Sequence, residues 1–370
     1  MKISNKVLFF VMDFWNAGAE RMAYEFHLYL SNLNFEVTII CYRSLNDSSY
    51  GFDDYYYEKH LKLKNSKVFF IDDLRKSFYL NIAFKKKIKE IIIDNNNVFF
   101  FGGYVFNYID ETILRLEFLK RKNIIVQSMR FQGEFYRDFN RNYTYNFFLG
   151  QRNKQSLEYE FEGFSSYTTH FLPLCINLEN KIEQSKNLRN NKFKIAVFTR
   201  ISIDKPLDVF LFAFHLLLGR QQNIELHFFG TGDIFNSPFS KCLSFLGIEN
   251  VVFNHGHSED ISESLKHFNI DLVWYQSYDG TPAGYSALDI INNGVPQIYW
   301  DFSNSVTDDF LSKQVLPCFK SLDNFVNYTI EILNNELKRN ELVQNQYQYL
   351  FNNHNIDKYI LNIPEFNSIT

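Results

Sequence analysis

The stretch KVLFFVMDFWNAGAERMAYEFHLYLSNLNFEVTIICY (residues 6–42) carries the pattern on which the fold turns. It opens with KVLFFVM (6–12), a continuous apolar run of the kind found in strands covered on both faces. NAGAERMAYEFHLYLSNL (16–33) follows, with Ala19, Met22, Ala23, Phe26 and Leu30 on one helical stripe. FEVTIICY (35–42) is a second buried strand. Strand, helix and strand in so short a span make a βαβ unit, and that unit requires a parallel sheet.

The rhythm continues outward. KVFFID (67–72), the helical FKKKIKEIIID (84–94), NVFFFGGY (97–104), the helical DETILRLEFLKRK (110–122) and NIIVQSM (123–129) come next, and THFLPLCIN (169–177) closes the first half. LENKIEQSKNLRNNKF (178–193) is polar and charged with no apolar stripe, so its middle reads as a linker. The pattern then restarts. Strands are expected at KIAVFTR (194–200), IELHFFG (224–230), VVFNHG (251–256), IDLVWYQ (270–276) and VPQIYW (295–300). Helices are expected at PLDVFLFAFHLLLGR (206–220), SEDISESLKHF (258–268) and SALDIINNG (286–294), and 322–355 is largely helical. The expected organisation is an α/β protein of two Rossmann-like domains. Residues 1–180 form the first, 181–192 the linker, 193–350 the second, and 351–370 a segment returning to the first.

Composition sets outer bounds. A chain of 370 residues exceeds what one core usually organises, and 46% hydrophobic with 22% charged residues is ordinary for a globular protein. The aromatic share, 18%, is high and reads as compositional bias rather than an aromatic binding surface. The net charge of −4 gives no overall footprint for nucleic acid, although residues 1–178 carry +3 and the remainder −7. Cys41, Cys175, Cys242 and Cys318 lie far apart without metal-ligand spacing, which suits a cytoplasmic protein. The opening residues lack a signal-peptide pattern, and no apolar run approaches the roughly 18–20 residues of a membrane span.

In parallel α/β sheets, ligands meet the carboxyl ends of the strands, and the unusual residues of this chain lie in those loops. Gly18 opens a helix just after a strand, where free amides and the helix dipole favour an anion. Arg200 and Lys205 follow the first strand of the second half. They either pair with Asp204 and Asp208 or clamp a diphosphate, the guanidinium in bidentate fashion and the ammonium as a point charge. In QSYDGTPAGYSALDIINNGVPQI (276–298), Gly280 and Gly284 flank Pro282 and let backbone amides approach a ligand. Asp289, about a turn into the next helix, is either solvated or an acceptor for ribose hydroxyls.

With these loops in order, the chain resembles the GT-B glycosyltransferases, specifically the large retaining family numbered four. NAGAERM (16–22) is similar to that family's Gly-Gly-Ala-Glu-Arg loop, and LPLCIN (172–177) to the segment ending its first domain. TRISIDKPLDVFLFAF (199–214), FFGTGD (228–233) and GYSALDIINNGVPQI (284–298) are similar to its donor-site motifs. The resemblance implies that Arg200 and Lys205 bind and neutralise the donor diphosphate as the catalytic cations. It further implies that Gly18, Gly230, Gly284, Tyr285 and Ser286 line the nucleotide-sugar and that Asp289 holds the ribose.

Several departures matter. Ala17 replaces the first glycine of the amino-terminal loop, and Asp289 replaces a glutamate. Thr281 stands where a first glutamate is usual, leaving Asp279 as a substitute acid. A histidine common near the reacting sugar is missing from VQSMRFQGE (126–134), where Arg130 or Gln132 offers a replacement.

The implied activity is transfer of a sugar, with retention, from a nucleotide diphosphate-sugar, UDP-sugar favoured. The acceptor is a hydroxyl of a surface glycan or lipid-linked oligosaccharide, with a protein acceptor also open. The nucleotide sugar is a co-substrate, and neither a further cofactor nor a metal is expected, because the basic residues do the metal's work. The implied location is cytoplasmic, with peripheral contact at the inner face of the plasma membrane. Lys85, Lys86, Lys87 and Lys89 border Ile88, Ile91 and Ile92, a stripe that suits packing on the sheet better than a membrane. VVFNHGHSED (251–260) is placed near the base, although His255 and His257 alone do not distinguish uracil from guanine. The rival expectation is a non-catalytic GT-B partner or chaperone subunit.

Overall fold

The structure is a computed structural model describing residues 5–43, 54–71, 81–95, 97–101, 123–128, 145–149, 168–171, 174–178, 192–203, 205, 207–278, 281–282, 284–301 and 315–360. The chain divides into two compact units, Met1–Asn177 with Asn355–Thr370, and Leu178–His354. The helix expected at 110–122, Arg130, Gln132, Asp204, Asp279 and nearly all of the expected linker lie outside the described residues.

The first unit contains β1 (Lys6–Val11), α1 (Gly18–Asn32), β2 (Glu36–Cys41), α2 (Tyr57–Leu61), β3 (Ser66–Phe70), α3 (Asn81–Ile93), β4 (Asn97–Phe101), β5 (Asn123–Ser128), β6 (Tyr145–Leu149) and β7 (Thr168–Phe171). The strands lie in the order β3-β2-β1-β4-β5-β6-β7, every neighbouring pair parallel. Phe9 sits opposite Ile39 on one side and Phe99 on the other, and Val7 to Val11 are all buried. The unbroken apolar run thus reflects cover on both faces of the sheet.

Helix α1 buries Met22, Ala23, Phe26 and Leu30, and also Glu25 and His27, which the apolar stripe does not include. The Glu25 carboxylate accepts from the backbone and side-chain amides of Asn177, at 3.0 and 2.7 Å. His27 Nδ1 lies 2.8 Å from His60 Nδ1, fastening α2 to α1; burial lowers the His27 pKa to about 3, so the ring is neutral. In α3, Ile88, Ile91 and Ile92 are buried and Lys86, Lys87 and Lys89 exposed, so the apolar stripe packs inward. The chain ends its described course in this unit. Asn355 forms a parallel bridge with Ile176, and α10 (Ile356–Ile360) packs on α1.

The second unit contains β8 (Phe193–Phe198), α4 (Leu207–Leu218), β9 (Ile224–Phe229), α5 (Ser240–Leu246), β10 (Val252–Asn254), α6 (Ile261–Phe268), β11 (Leu272–Tyr278), β12 (Thr281–Pro282), α7 (Tyr285–Asn292), β13 (Gln297–Asp301), β14 (Cys318–Phe319), α8 (Leu322–Asn334) and α9 (Glu336–Asn353). Its parallel order is β10-β9-β8-β11-β13-β14, with β12 antiparallel on β11. Phe210, Phe214, Trp274 and Phe325 centre its core. The helical tail breaks at Asn335, whose extended backbone ends α8 and whose side chain accepts from Lys338 N to start α9.

Both sheets therefore run outward in both directions from their first strand. The strand order reverses between β1 and β4 in one unit and between β8 and β11 in the other. Such a reversal opens a crevice at the carboxyl ends of the strands, where doubly wound sheets bind ligands. Among the described residues, no helix is long and apolar enough to cross a membrane.

Candidate functional site

In the second unit, β8 ends at Phe198, and Thr199 and Arg200 follow it at the carboxyl edge of the sheet, beside the crevice between β8 and β11. Gln276, near the end of β11, spans that crevice with its Nε2 3.5 Å from Thr199 Oγ1, and its Oε1 is buried without a partner. Arg200 is exposed, whereas Lys205 is half-buried with its backbone N–H donating to Ser202 O at 2.9 Å. Two cations thus stand in the connection between β8 and α4.

Gly230 closes the next strand. Its loop runs against the Arg200 segment, with Thr199 N–H donating to Phe229 O and Ile201 N–H to Thr231 O, both at 2.9 Å. Contact is so close that a Cβ on Gly230 would stand 1.9 Å from Thr199 O. A Cβ on Gly232 would stand 2.9 Å from Ile201 O. The Gly-Thr-Gly sequence therefore shapes the backbone that presents Arg200.

Beyond β11, the β12 hairpin leads to Gly284, the residue capping α7, which supplies no side chain to the first-turn amides. Those amides retain the partial positive charge of a helix start. Tyr285 is buried, and Ser286 Oγ hydrogen-bonds Tyr275 Oη, fixing the first turn to β11. Asp289 is half-buried, and its backbone carbonyl accepts from Asn293 Nδ2 at 2.8 Å. Gln297 Nε2 donates to Ala287 O at 2.6 Å, tying α7 to β13. Arg200, Lys205, Gly230, Gly284, Tyr285, Ser286 and Asp289 thus all belong to strand ends and helix starts at one edge of this sheet. Gly18 lies at the corresponding edge of the other sheet, as the first residue of α1.

Two features at these edges carry no sequence signal of their own. In the first unit, Glu20 in the opening turn of α1 hydrogen-bonds Asp13, just past β1. Arg43 Nη1 is 3.8 Å from Asp13 Oδ2, and its guanidinium stacks over Trp15 at 4.6 Å. Burial and then the Asp13 charge push the Glu20 carboxyl up to about 8; burial raises Asp13 as well. In the second unit, His227 Nδ1 lies 2.9 Å from His255 Nε2, the two rings stacked 5.1 Å apart. Neither pairing is visible as a motif, because its members are separated in sequence or unremarkable alone.

Residues 179–349 match the family of glycosyl transferases group 1. No curated protein matches the sequence. Among solved structures, Anabaena HepE in complex with UDP and glucose is similar, with a TM-score of 0.67 and 14% identity. The similarity covers 99% of this chain and 100% of that one. Sucrose-phosphate synthase from Thermosynechococcus elongatus aligns with a TM-score of 0.64 at 10% identity over 98% of both chains. TarM of S. aureus, in a complex that includes UDP, aligns with a TM-score of 0.64 at 9% identity, over 98% of this chain and 99% of that one. The chain accordingly has the GT-B fold, two parallel-sheet Rossmann-like domains, and most of its second unit falls within the stretch that matches the glycosyl transferases group 1 family.

Proposed function

We propose that the protein transfers a sugar from a nucleotide diphosphate-sugar, with UDP as the favoured carrier, to an acceptor hydroxyl with retained anomeric configuration. The observation that carries this reading is the grouping of Arg200, Lys205 and the uncapped start of α7 at the carboxyl edge of the second sheet, inside the region of the family match. As the bond from the anomeric carbon to the diphosphate breaks, negative charge collects on the departing oxygen. Arg200 and Lys205 neutralise it, aided by the first-turn amides of α7. Among the described residues, a Cβ at Gly284 would meet only Tyr275 Oη, at 3.8 Å, so their packing does not demand glycine. Close approach of the donor is the reason for it. Asp289, on the same helix, holds the ribose hydroxyls. HepE, of the same fold, has been captured with UDP-glucose, which supports the choice of carrier.

The first unit meets the acceptor, a surface glycan or lipid-linked oligosaccharide. The outward lysines Lys86, Lys87 and Lys89 of α3 favour work beside an anionic membrane on its cytoplasmic side. No metal enters the scheme, since Arg200 and Lys205 supply the positive charge. Thr281, placed in β12 where a carboxylate is usual in the family, favours a second reading, a partner subunit that has lost the chemistry.

Calorimetric and thermal-shift binding of UDP and GDP separates the readings, with wild type beside Arg200→Ala and Lys205→Ala. A ligand that binds only the folded protein stabilises it logarithmically as its concentration rises above Kd. Binding of UDP by wild type and its loss in both variants is the expected result. A well-folded wild type that binds neither nucleotide overturns the transferase reading in favour of the partner subunit.

A further inference from the structure

Along the face of the second sheet that packs on α6, three side chains form a line. Glu225 Oε2 lies 3.5 Å from His227 Nε2, and His227 Nδ1 lies 2.9 Å from His255 Nε2. Glu225 is anchored from behind by Lys192 Nζ at 2.8 Å. His227 is buried in β9, while His255 follows β10 at the carboxyl edge of the sheet. Gly256, the next residue, accepts the Gly230 N–H at 2.7 Å, so His255 adjoins the loop that supports Arg200. The His255 ring is gripped by Phe229, stacked at 4.6 Å, and Phe268, at 4.1 Å.

This line fixes a tautomer. Burial lowers the His227 pKa to about 4 and lowers that of His255 as well, so both rings are neutral near pH 7. The Glu225 carboxylate makes no hydrogen bond to His227 Nε2, but its negative charge 3.5 Å away favours the proton there. His227 Nδ1 must then accept, and His255 Nε2–H donates to it. That leaves the His255 Nδ1 lone pair unprotonated, on a half-buried ring whose Nδ1 is not enclosed. The protein thus holds a rigid hydrogen-bond acceptor of set polarity beside the donor-site loops.

We propose that His255 reads the nucleobase: its Nδ1 accepts the N3–H of uracil, and Glu225 and His227 are positioning residues that keep Nδ1 unprotonated. The assignment rests on the donor site proposed above and adds a reason for its base. Cytosine has an unprotonated ring nitrogen where uracil has N3–H, so it would set lone pair against lone pair and be rejected.

Two experiments test it. The first measures UDP, CDP and N3-methyl-UDP binding to wild type, His255→Phe and His255→Gln. Wild type should prefer UDP to both analogues by about tenfold, the worth of one well-placed hydrogen bond. His255→Phe, which keeps the ring stack, should bring the three affinities together. UDP binding with a preference unchanged in His255→Phe overturns this assignment alone. No UDP binding by wild type overturns it together with the UDP-donor reading.

The second experiment needs no ligand. The ¹⁵N spectrum of the imidazoles in the full chain should show His255 protonated at Nε2 and unprotonated at Nδ1. His227→Phe should release that preference into a mixture of tautomers. A proton on His255 Nδ1 in wild type overturns the relay.

Discussion

The backbone carbonyl of Thr199 and Cα of Gly230 are so close that no side chain fits between them: a Cβ on residue 230 would stand 1.9 Å from the oxygen and 2.6 Å from the carbonyl carbon. Both atoms belong to backbone, which cannot swing aside as a flexible side chain can. Gly230→Ala must therefore push the 199–201 segment off the sheet edge and carry Arg200 with it. The expected cost is about 2–3 kcal/mol in stability. Nucleotide affinity should fall further than the stability loss explains. Urea unfolding and calorimetry on the same preparation separate the two effects. Wild-type stability in the variant would show that the loop has slack the geometry denies.

The Glu20–Asp13 pair gives the first unit an unusual dependence on pH. An acid whose folded pKa lies above its unfolded value holds its proton more tightly when folded. Its stabilising contribution is complete below the ordinary value of 4.5 and is lost as pH rises through about 8. Asp13, Arg43, Asp54 and Cys41 share the site. Ionised Glu20 faces Asp13 as a second negative charge, only partly offset by Arg43. The melting temperature of wild type should therefore decline between about pH 4.5 and pH 8, the window between the two pKa values. Glu20→Gln keeps a donor for Asp13 and has no proton to lose, so its decline should be shallower. Equal slopes for the two proteins would mean that Glu20 ionises normally.

The alternation of apolar runs and helical stripes made both parallel sheets legible, since strands covered on two faces and helices covered on one leave different periods. The strand ends and helix starts then located Arg200, Gly230 and Gly284 without any contact being known. What escaped was short or long-range. Helix α2 spans only five residues, Tyr57–Leu61, too few for a period to emerge. Strand β6, Tyr145–Leu149, is a brief apolar run inside a polar neighbourhood. His227 and His255 are 28 residues apart in sequence, and only adjacency of β9 and β10 makes them a pair. Pairing between strands is a property of the sheet, so no local reading of residues 251–260 could have assigned His255 a tautomer.

One long-range device lies behind α7. Gln346 of α9 accepts from Gln297 N–H at 2.9 Å and donates to Gln297 O at 2.7 Å, taking the place of a neighbouring strand beside β13. Gln297 in turn holds the α7 backbone at Ala287 and accepts from Tyr299 Oη at 2.7 Å. All four residues are buried, so no water replaces a lost partner. Gln346→Leu leaves a buried N–H and C=O unpaired, at an expected cost of about 2–4 kcal/mol. Because α7 carries Ser286 and Asp289, affinity for UDP should drop as well. Hydrogen exchange at the Gln297 amide reports the broken bond directly, and unchanged protection there would refute this role.

The indole of Trp274, on β11, is fully buried, and its Nε1–H donates to Thr329 Oγ1 at 3.1 Å. The Thr329 hydroxyl passes its own proton to Phe325 O at 2.9 Å, so one oxygen serves both groups. Thr329→Val preserves the shape and removes the acceptor, leaving the indole N–H enclosed without a partner. The loss should be about 1–3 kcal/mol. Thr329→Ser retains the oxygen and should lose less, only the packing of a methyl group. The cause is isolated by a double-mutant cycle with Trp274→Phe. With no indole N–H to satisfy, Thr329→Val should cost less in the Phe background than in wild type. Additive losses would place the cost in packing around Thr329 and not in the hydrogen bond.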